Sequence, residues 1–192
     1  PSAKAIILHK GEAYDTQAIE NIIGLPCFVK PNRAGSSFGI SKVTASEQWE
    51  HAIKEAFKHD NQVLIEAFID GIEVTCGLIE KEGELIALPL TEITTENDFF
   101  DYEAKYEGKS QEITPARVSD EIKEQVQSIS KKIYNTLHLK GLVRMDYIVE
   151  KDQAYLIEIN TIPGLSEESI IPQQAACYGI SLKQLFSLTL EN

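Results

Sequence analysis

The chain has 192 residues, 43% of them hydrophobic and 25% charged, with a net charge of -12. That is enough chain to bury a core, and the balance is that of a folded protein and not of a disordered one. So acidic a surface repels nucleic acid and anionic membranes, and no apolar run approaches the roughly 18 residues that span a bilayer, so neither is expected as a partner.

Cys27, Cys76 and Cys177 are odd in number and far apart, and the four histidines are scattered. They read as reduced thiols in a cytoplasmic protein, without zinc. The chain opens at Pro1-Ser2 without methionine and enters a strand-like run at Ala5. A segment cut from a longer protein is expected to look like this.

In chain order, Asp15 should cap a short helix through Ile19, Ile22 and Ile23, stopped by Gly24 and Pro26. Residues 27–30 read as a strand ending at Pro31, residues 32–39 as a glycine- and serine-bearing loop, and 40–43 as a returning strand. Ser46 is the expected cap of a helix whose Trp49, Ile53, Ala56 and Phe57 share a face. Residues 63–68 form a strand, and 72–80 with 85–93 form a hairpin about residues 81–83. Residues 94–111 are polar and aromatic without periodicity, which predicts a long, mobile, functional loop. Ser119 should cap a long helix carrying Ile122, Val126, Ile129, Ile133 and Leu137, ending near Gly141. Two strands follow, 142–150 and 154–160, then short helices near 169–178 and 182–190. Antiparallel strands interleaved with helices predict an α+β fold.

The strongest chemical signal is the pair Arg144-Met145-Asp146 and Glu158-Ile159-Asn160. Alternate residues of a strand share a face. A three-residue turn at 151–153 sets Asp146 opposite Glu158 and Arg144 opposite Asn160. A two-residue turn sends the carboxylates to opposite faces. Leu156 is out of step with the alternation either way. Converging carboxylates and an amide are hard oxygen ligands that suit Mg²⁺ accompanied by phosphates. The alternative is a cross-strand ion pair on a solvated face.

Lys30 and the loop that follows it could cradle phosphate oxygens on backbone amides, or be an ordinary turn. Glu66 to Glu73 is an acidic strand end and turn. Lys105, in the long loop, could close over a phosphate or sit in solvent.

Taken together and in order, these segments resemble the ATP-grasp ligases, and within them the D-alanine–D-alanine ligases. The residues that carry the likeness are the runs Phe28-Val29-Lys30-Pro31-Asn32-Arg33-Ala34-Gly35-Ser36-Ser37-Phe38-Gly39, Val63-Leu64-Ile65-Glu66 with Gly71-Ile72-Glu73, Asp101-Tyr102-Glu103-Ala104-Lys105-Tyr106, Gly141-Leu142-Val143-Arg144-Met145-Asp146, and Glu158-Ile159-Asn160-Thr161-Ile162-Pro163-Gly164. The resemblance covers nearly the whole chain. It implies an ATP-grasp fold of two antiparallel-sheet subdomains with packed helices, residues 1–70 and 71–192.

The resemblance also implies a chemistry. ATP phosphorylates one D-alanine, and the amine of a second attacks the acyl phosphate, giving D-alanyl-D-alanine for peptidoglycan. Lys30, Ser37 and Lys105 would meet the nucleotide phosphates. Glu66, Phe68, Ile69 and Glu73 would hold adenine and ribose. Asp146, Glu158 and Asn160 would hold two Mg²⁺ ions, which Mn²⁺ could replace. Arg144 and the Gly164 amide would stabilise the tetrahedral oxyanion, and Gly164 and Ser169 would bind the second D-alanine. Ser36 and Tyr106 would lock the long loop shut, and Tyr106 favours an amine over a hydroxyl nucleophile. Leu165-Ser166 and Glu167-Glu168 depart from the commoner family residues beside Ser169.

The family's N-terminal domain, which supplies part of the first-substrate site and of a homodimer contact, has no counterpart here. The fragment is therefore expected to be inactive alone. Another ATP-grasp carboxylate–amine ligase, or a nucleotide-binding module without turnover, are the alternative readings.

Overall fold

The structure, a computed structural model, describes residues 1–35, 38–95 and 110–191. These divide into two units: Ser2–Ile69, and residues 70–95 with 110–191, which Pro1 joins.

The first unit holds β1 (Ala5–His9), α1 (Thr16–Ile23), β2 (Cys27–Pro31), β3 (Ser41–Val43), α2 (Trp49–Ala56) and β4 (Gln62–Ala67). Its antiparallel sheet has the order β1-β4-β2-β3. Alternation sets its faces: Cys27, Val29, Val63 and Ile65 are fully buried with Trp49 and Ile53, while Phe28, Lys30, Leu64 and Glu66 lie on the other side. Each large buried apolar side chain contributes about 2 kcal/mol.

Asp15 caps α1 as its sequence predicts, accepting from the Gln17 and Ala18 amides at 2.9 and 3.3 Å. Ser46 does not cap α2. It lies in a short 3-10 turn, Ser46–Gln48, and its hydroxyl donates to Glu20 at 2.8 Å. The Gln48 side chain instead takes the Thr44 and Ala45 amides at 2.7 and 3.2 Å. Glu20 also accepts from the Trp49 indole at 2.8 Å, which satisfies the polar atom of that buried ring.

The second unit holds β5 (Ile72–Lys81), β6 (Glu84–Ala87), β7 (Thr91–Thr95), β8 (Ser110–Ile113), α3 (Asp120–Thr136), β9 (Val143–Glu150), β10 (Gln153–Asn160), α4 (Ile170–Tyr178) and α5 (Leu182–Glu191). The sheet runs β10-β9-β5-β7-β8, with β6 also on β5. Helix α3 packs against Val74, Cys76, Val143, Met145 and Tyr147 on one face. Helices α4 and α5 pack against Ile79, Leu88 and Leu142 on the other.

Three boundaries differ from expectation. The strand expected over 85–93 is two strands, because Pro89 lacks an N–H and the pairing to β5 shifts by one residue across it. Residues 94, 95, 110 and 111, expected in the long loop, are paired in β7 and β8. Helix α3 stops at Thr136, ahead of Gly141, where His138 turns to φ 52°. Among the described residues no helix is long and apolar enough to cross a membrane.

Candidate functional site

The β9–β10 hairpin turns on two residues, since Glu150 pairs with Gln153. A two-residue turn was expected to separate the carboxylates, yet Asp146 faces Glu158 and Arg144 faces Asn160. The reason is a β-bulge between Leu156 and Glu158, which takes up one residue and flips the parity of the strand beyond it. It also explains why Leu156 is out of step. Leu156 and Ile159, an odd number of residues apart, both pack on the α3 side, and Glu158 and Asn160 are released to the opposite face.

There the four polar residues bond to one another. Arg144 donates through Nε and Nη2 to the two Asp146 oxygens at 2.9 and 2.8 Å. Asn160 Nδ2 donates to Asp146 Oδ2 at 3.0 Å and to Glu158 Oε1 at 3.2 Å. Asp146 is 7% exposed. Burial works against the Arg144 charge, but the Asp146 bonds and the fields of Asp146, Glu158 and Glu112 outweigh it and raise the guanidinium above its ordinary value. Thr75 pairs across from Asp146, and its buried hydroxyl has no partner among the described residues. Glu73 lies two residues along β5, on the same face.

Among the described residues no three His, Cys, Asp or Glu side chains gather as a metal cage. The donors at this face are two carboxylates and an amide. That set fits Mg²⁺ sharing its ligands with a phosphate better than an ion held by protein alone.

Gly164 and Ser169 come together in the segment after β10. A Cβ on Gly164 would lie 2.9 Å from Ser169 Oγ, so a side chain there would push that hydroxyl from its place. Ser169 precedes α4, but its hydroxyl meets Ser166 Oγ at 2.7 Å and makes no capping bond.

In the first unit, Lys30 forms an ion pair with Glu66 on the open sheet face. The Phe28 and Phe68 ring centroids are 5.9 Å apart, and Lys42 Nζ stands 4.7 Å from the Phe68 centroid. The Phe68 amide donates to the Pro26 carbonyl at 3.3 Å, and Ile69 ends the unit. Cations, rings and a carboxylate on one face are the groups a nucleotide needs for phosphate, base and ribose. Arg33 does not join them. Its guanidinium pairs with Asp60 at 2.7 and 3.2 Å, holding that carboxyl well below the usual carboxylate range.

Ser36, Ser37, Lys105 and Tyr106 lie outside the described residues. Lys42, Glu112 and Gln173 were not among the expected site residues. Strand alternation could have found Lys42, which pairs opposite Phe28. The other two are brought near the site only by tertiary packing.

Residues 3–191 match the family model described as D-ala D-ala ligase C-terminus. A D-alanine–D-alanine ligase from Flavobacterium johnsoniae is 53% identical over 190 residues, which is 99% of this chain and 59% of the relative. One from Bacteroides fragilis is 44% identical over 191 residues, again 99% and 59%. Among solved structures, the VanG D-Ala:D-Ser ligase from Enterococcus faecalis superposes with a TM-score of 0.88 at 34% identity, over 99% of this chain and 56% of that one. A D-alanine–D-alanine ligase from Bacillus anthracis complexed with ATP gives 0.82 at 27% identity, over 99% and 59%. The α+β fold is thus the ATP-grasp fold. The chain spans about 59% of the length of the curated relatives it matches.

Proposed function

The chain belongs to the D-alanine–D-alanine ligase C-terminal family, and we propose that it supplies the ATP-binding and catalytic portion of an ADP-forming D-alanine–D-alanine ligase. The observation that carries this reading is the bulge in β10, which gathers Arg144, Asp146, Glu158 and Asn160 on one sheet face. Residues 1–70 and 71–192 act as the central and C-terminal subdomains of a homodimeric, cytoplasmic enzyme of peptidoglycan synthesis.

A carboxylate oxygen of the first D-alanine attacks the γ-phosphorus of ATP, and ADP leaves. Lys30, Ser37 and Lys105 hold the phosphates, while Glu66, Phe68, Ile69 and Glu73 hold the nucleoside. Two Mg²⁺ ions, replaceable by Mn²⁺, would be held by Asp146, Glu158 and Asn160 and would neutralise the phosphoryl charge. The free amine of the second D-alanine then attacks the acyl carbon, losing a proton as the tetrahedral centre forms. Inorganic phosphate leaves as that centre collapses. Arg144, kept cationic by its carboxylate neighbours, and the Gly164 amide stabilise the oxyanion. Ser169 binds the carboxylate of the second D-alanine. Ser36 and Tyr106 hold the covering loop closed.

Phosphate release by the full-length protein tests the assignment. Release that depends on D-alanine and yields dipeptide is expected, and turnover indifferent to D-alanine would point to another carboxylate–amine ligase. The second reading, a nucleotide-binding module, applies to the 192-residue chain alone, because the relatives extend well beyond the matched stretch. By calorimetry it should bind MgATP weakly and make no dipeptide.

A further inference from the structure

Gln173 ties three parts of the second unit through one carboxamide. Its Nε2 donates to Glu112 Oε2 of β8 at 3.0 Å and to the Glu168 carbonyl at 2.8 Å. Its backbone amide donates to the Ser169 carbonyl at 3.2 Å, and the Ser169 amide donates to the Ser166 carbonyl at 2.9 Å. Glu167 and Glu168 are exposed, and these bonds, with the Ser166–Ser169 hydroxyl contact, fix the turn at the N-terminal end of α4.

Glu112 pairs opposite Ile93, and Ile93 opposite Glu73. This register puts Glu112 on the sheet face of Glu73, Arg144 and Asp146. Much of the residue is exposed, but its carboxyl end is crowded. Desolvation there raises its pKa, against the pull of the Gln173 bond and of Arg144.

We propose that Glu112 is a positioning residue for the second substrate, acting through Gln173 to hold the Glu168–Ser169 turn in place. The inference rests on the ligase reading of Ser169. Neither Glu112 nor Gln173 touches the reacting atoms. Their role is to keep the Ser169 hydroxyl and the first α4 amides where a substrate carboxylate would meet them. The Gln173 amide is the neutral donor that joins the Glu112 carboxylate to the Glu168 carbonyl.

Two readouts test it. In the 192-residue chain, amide hydrogen exchange across residues 166–173 should quicken about fivefold in Glu112→Ala, the worth of one partly solvated hydrogen bond, and at least as much in Gln173→Ala, which also loses the bond to the Glu168 carbonyl. The double variant should be no faster than Gln173→Ala alone, and Glu112→Gln, which keeps an acceptor oxygen, should stay near wild type. In the full-length protein, Glu112→Ala should raise KM for the second D-alanine about fivefold while leaving KM for ATP unchanged. Unchanged exchange, additive single effects, or an equal rise in both KM values would overturn the proposal. If the wild-type protein formed no dipeptide, the ligase reading and the substrate role would fall together, and the exchange result would still decide the strut by itself.

Discussion

Replacing Gln174 by leucine should unseat α4 from its sheet. Gln174 is 0% exposed. Its Oε1 accepts from the Gly77 amide at 2.9 Å, and its Nε2 donates to the Thr75 carbonyl at 2.9 Å and to Thr91 Oγ1 at 3.1 Å. Gly77 lies between the β5 residues that β6 pairs and those that β7 pairs, and Thr75 is at the end of the β7 pairing, so the carboxamide bridges the break in the ladder. Leucine fills nearly the same volume and leaves the Gly77 N–H and the Thr75 C=O buried without partners. Each orphan costs about 1–3 kcal/mol, and the added apolar burial returns about 1–2 kcal/mol. A net loss of about 2–3 kcal/mol follows, or about 5–10 °C in Tm for a chain of this size. Urea and thermal melts followed by circular dichroism measure it, with faster exchange of the Gly77 amide as the local signature. Gln174→Glu should be worse at neutral pH and recover as the pH falls, because a protonated carboxyl regains a donor. A Gln174→Leu variant within about 0.5 kcal/mol of wild type would refute the claim that this amide bridges the strand break.

In the full-length protein, Asp146→Ala or Glu158→Ala should abolish dipeptide formation while the far-ultraviolet spectrum stays native; retained turnover would remove that residue from the metal set. Glu92 accepts from the Arg117 backbone amide, Nε and Nη2 at 3.1, 2.9 and 2.8 Å, and Arg117 lowers its pKa below the ordinary 4.5. A depressed folded value means the pair stabilises fully above pH 4.5 and is lost as the pH falls through the folded pKa. Melting temperature against pH should therefore fall less steeply on the acid side in Glu92→Gln, and an unchanged acid slope would exclude the pair as its source. Burial pushes the Cys27 and Cys76 thiols up to about 11 and 12, while Cys177 is exposed. A thiol reagent at pH 8 should thus label Cys177 alone until denaturant is added, and prompt labelling of Cys27 or Cys76 would show that their sheets open.

What could be read from the sequence was what local chemistry decides. Asp15 caps α1 and Ser119 caps α3 because each side chain needs only amides two or three residues away. The strand cores were legible from alternation. Ser46 misled because its hydroxyl found Glu20, 26 residues distant. Strand β8 was hidden because its polar run, Ser110-Gln111-Glu112, is a strand only by virtue of pairing with β7. Gln173 and Gln174 look alike in sequence, and only packing sends Gln174 into the core and leaves Gln173 half-buried.

The bulge at Ile157 shows why the site was partly legible. Two demands meet in this hairpin. The turn at Lys151-Asp152 sets a register in which Asp146 would face Ile157, and the core beneath α3 needs Ala154, Leu156 and Ile159. No regular strand can point Leu156 and Ile159 the same way, since they are three apart. One extra residue resolves both demands, and it does so between the core-facing stretch and the carboxylate. Without it Glu158 would be driven toward Tyr147 and Met145, where burial of its charge would be costly. The apolar pattern therefore enforces the placement of Glu158 beside Asp146. A deletion of Ile157 should then be tolerated better than a deletion at the turn, because it leaves Leu156 and Ile159 two apart on one face with Glu158 still opposite Asp146, and urea melts of the two deletions check it.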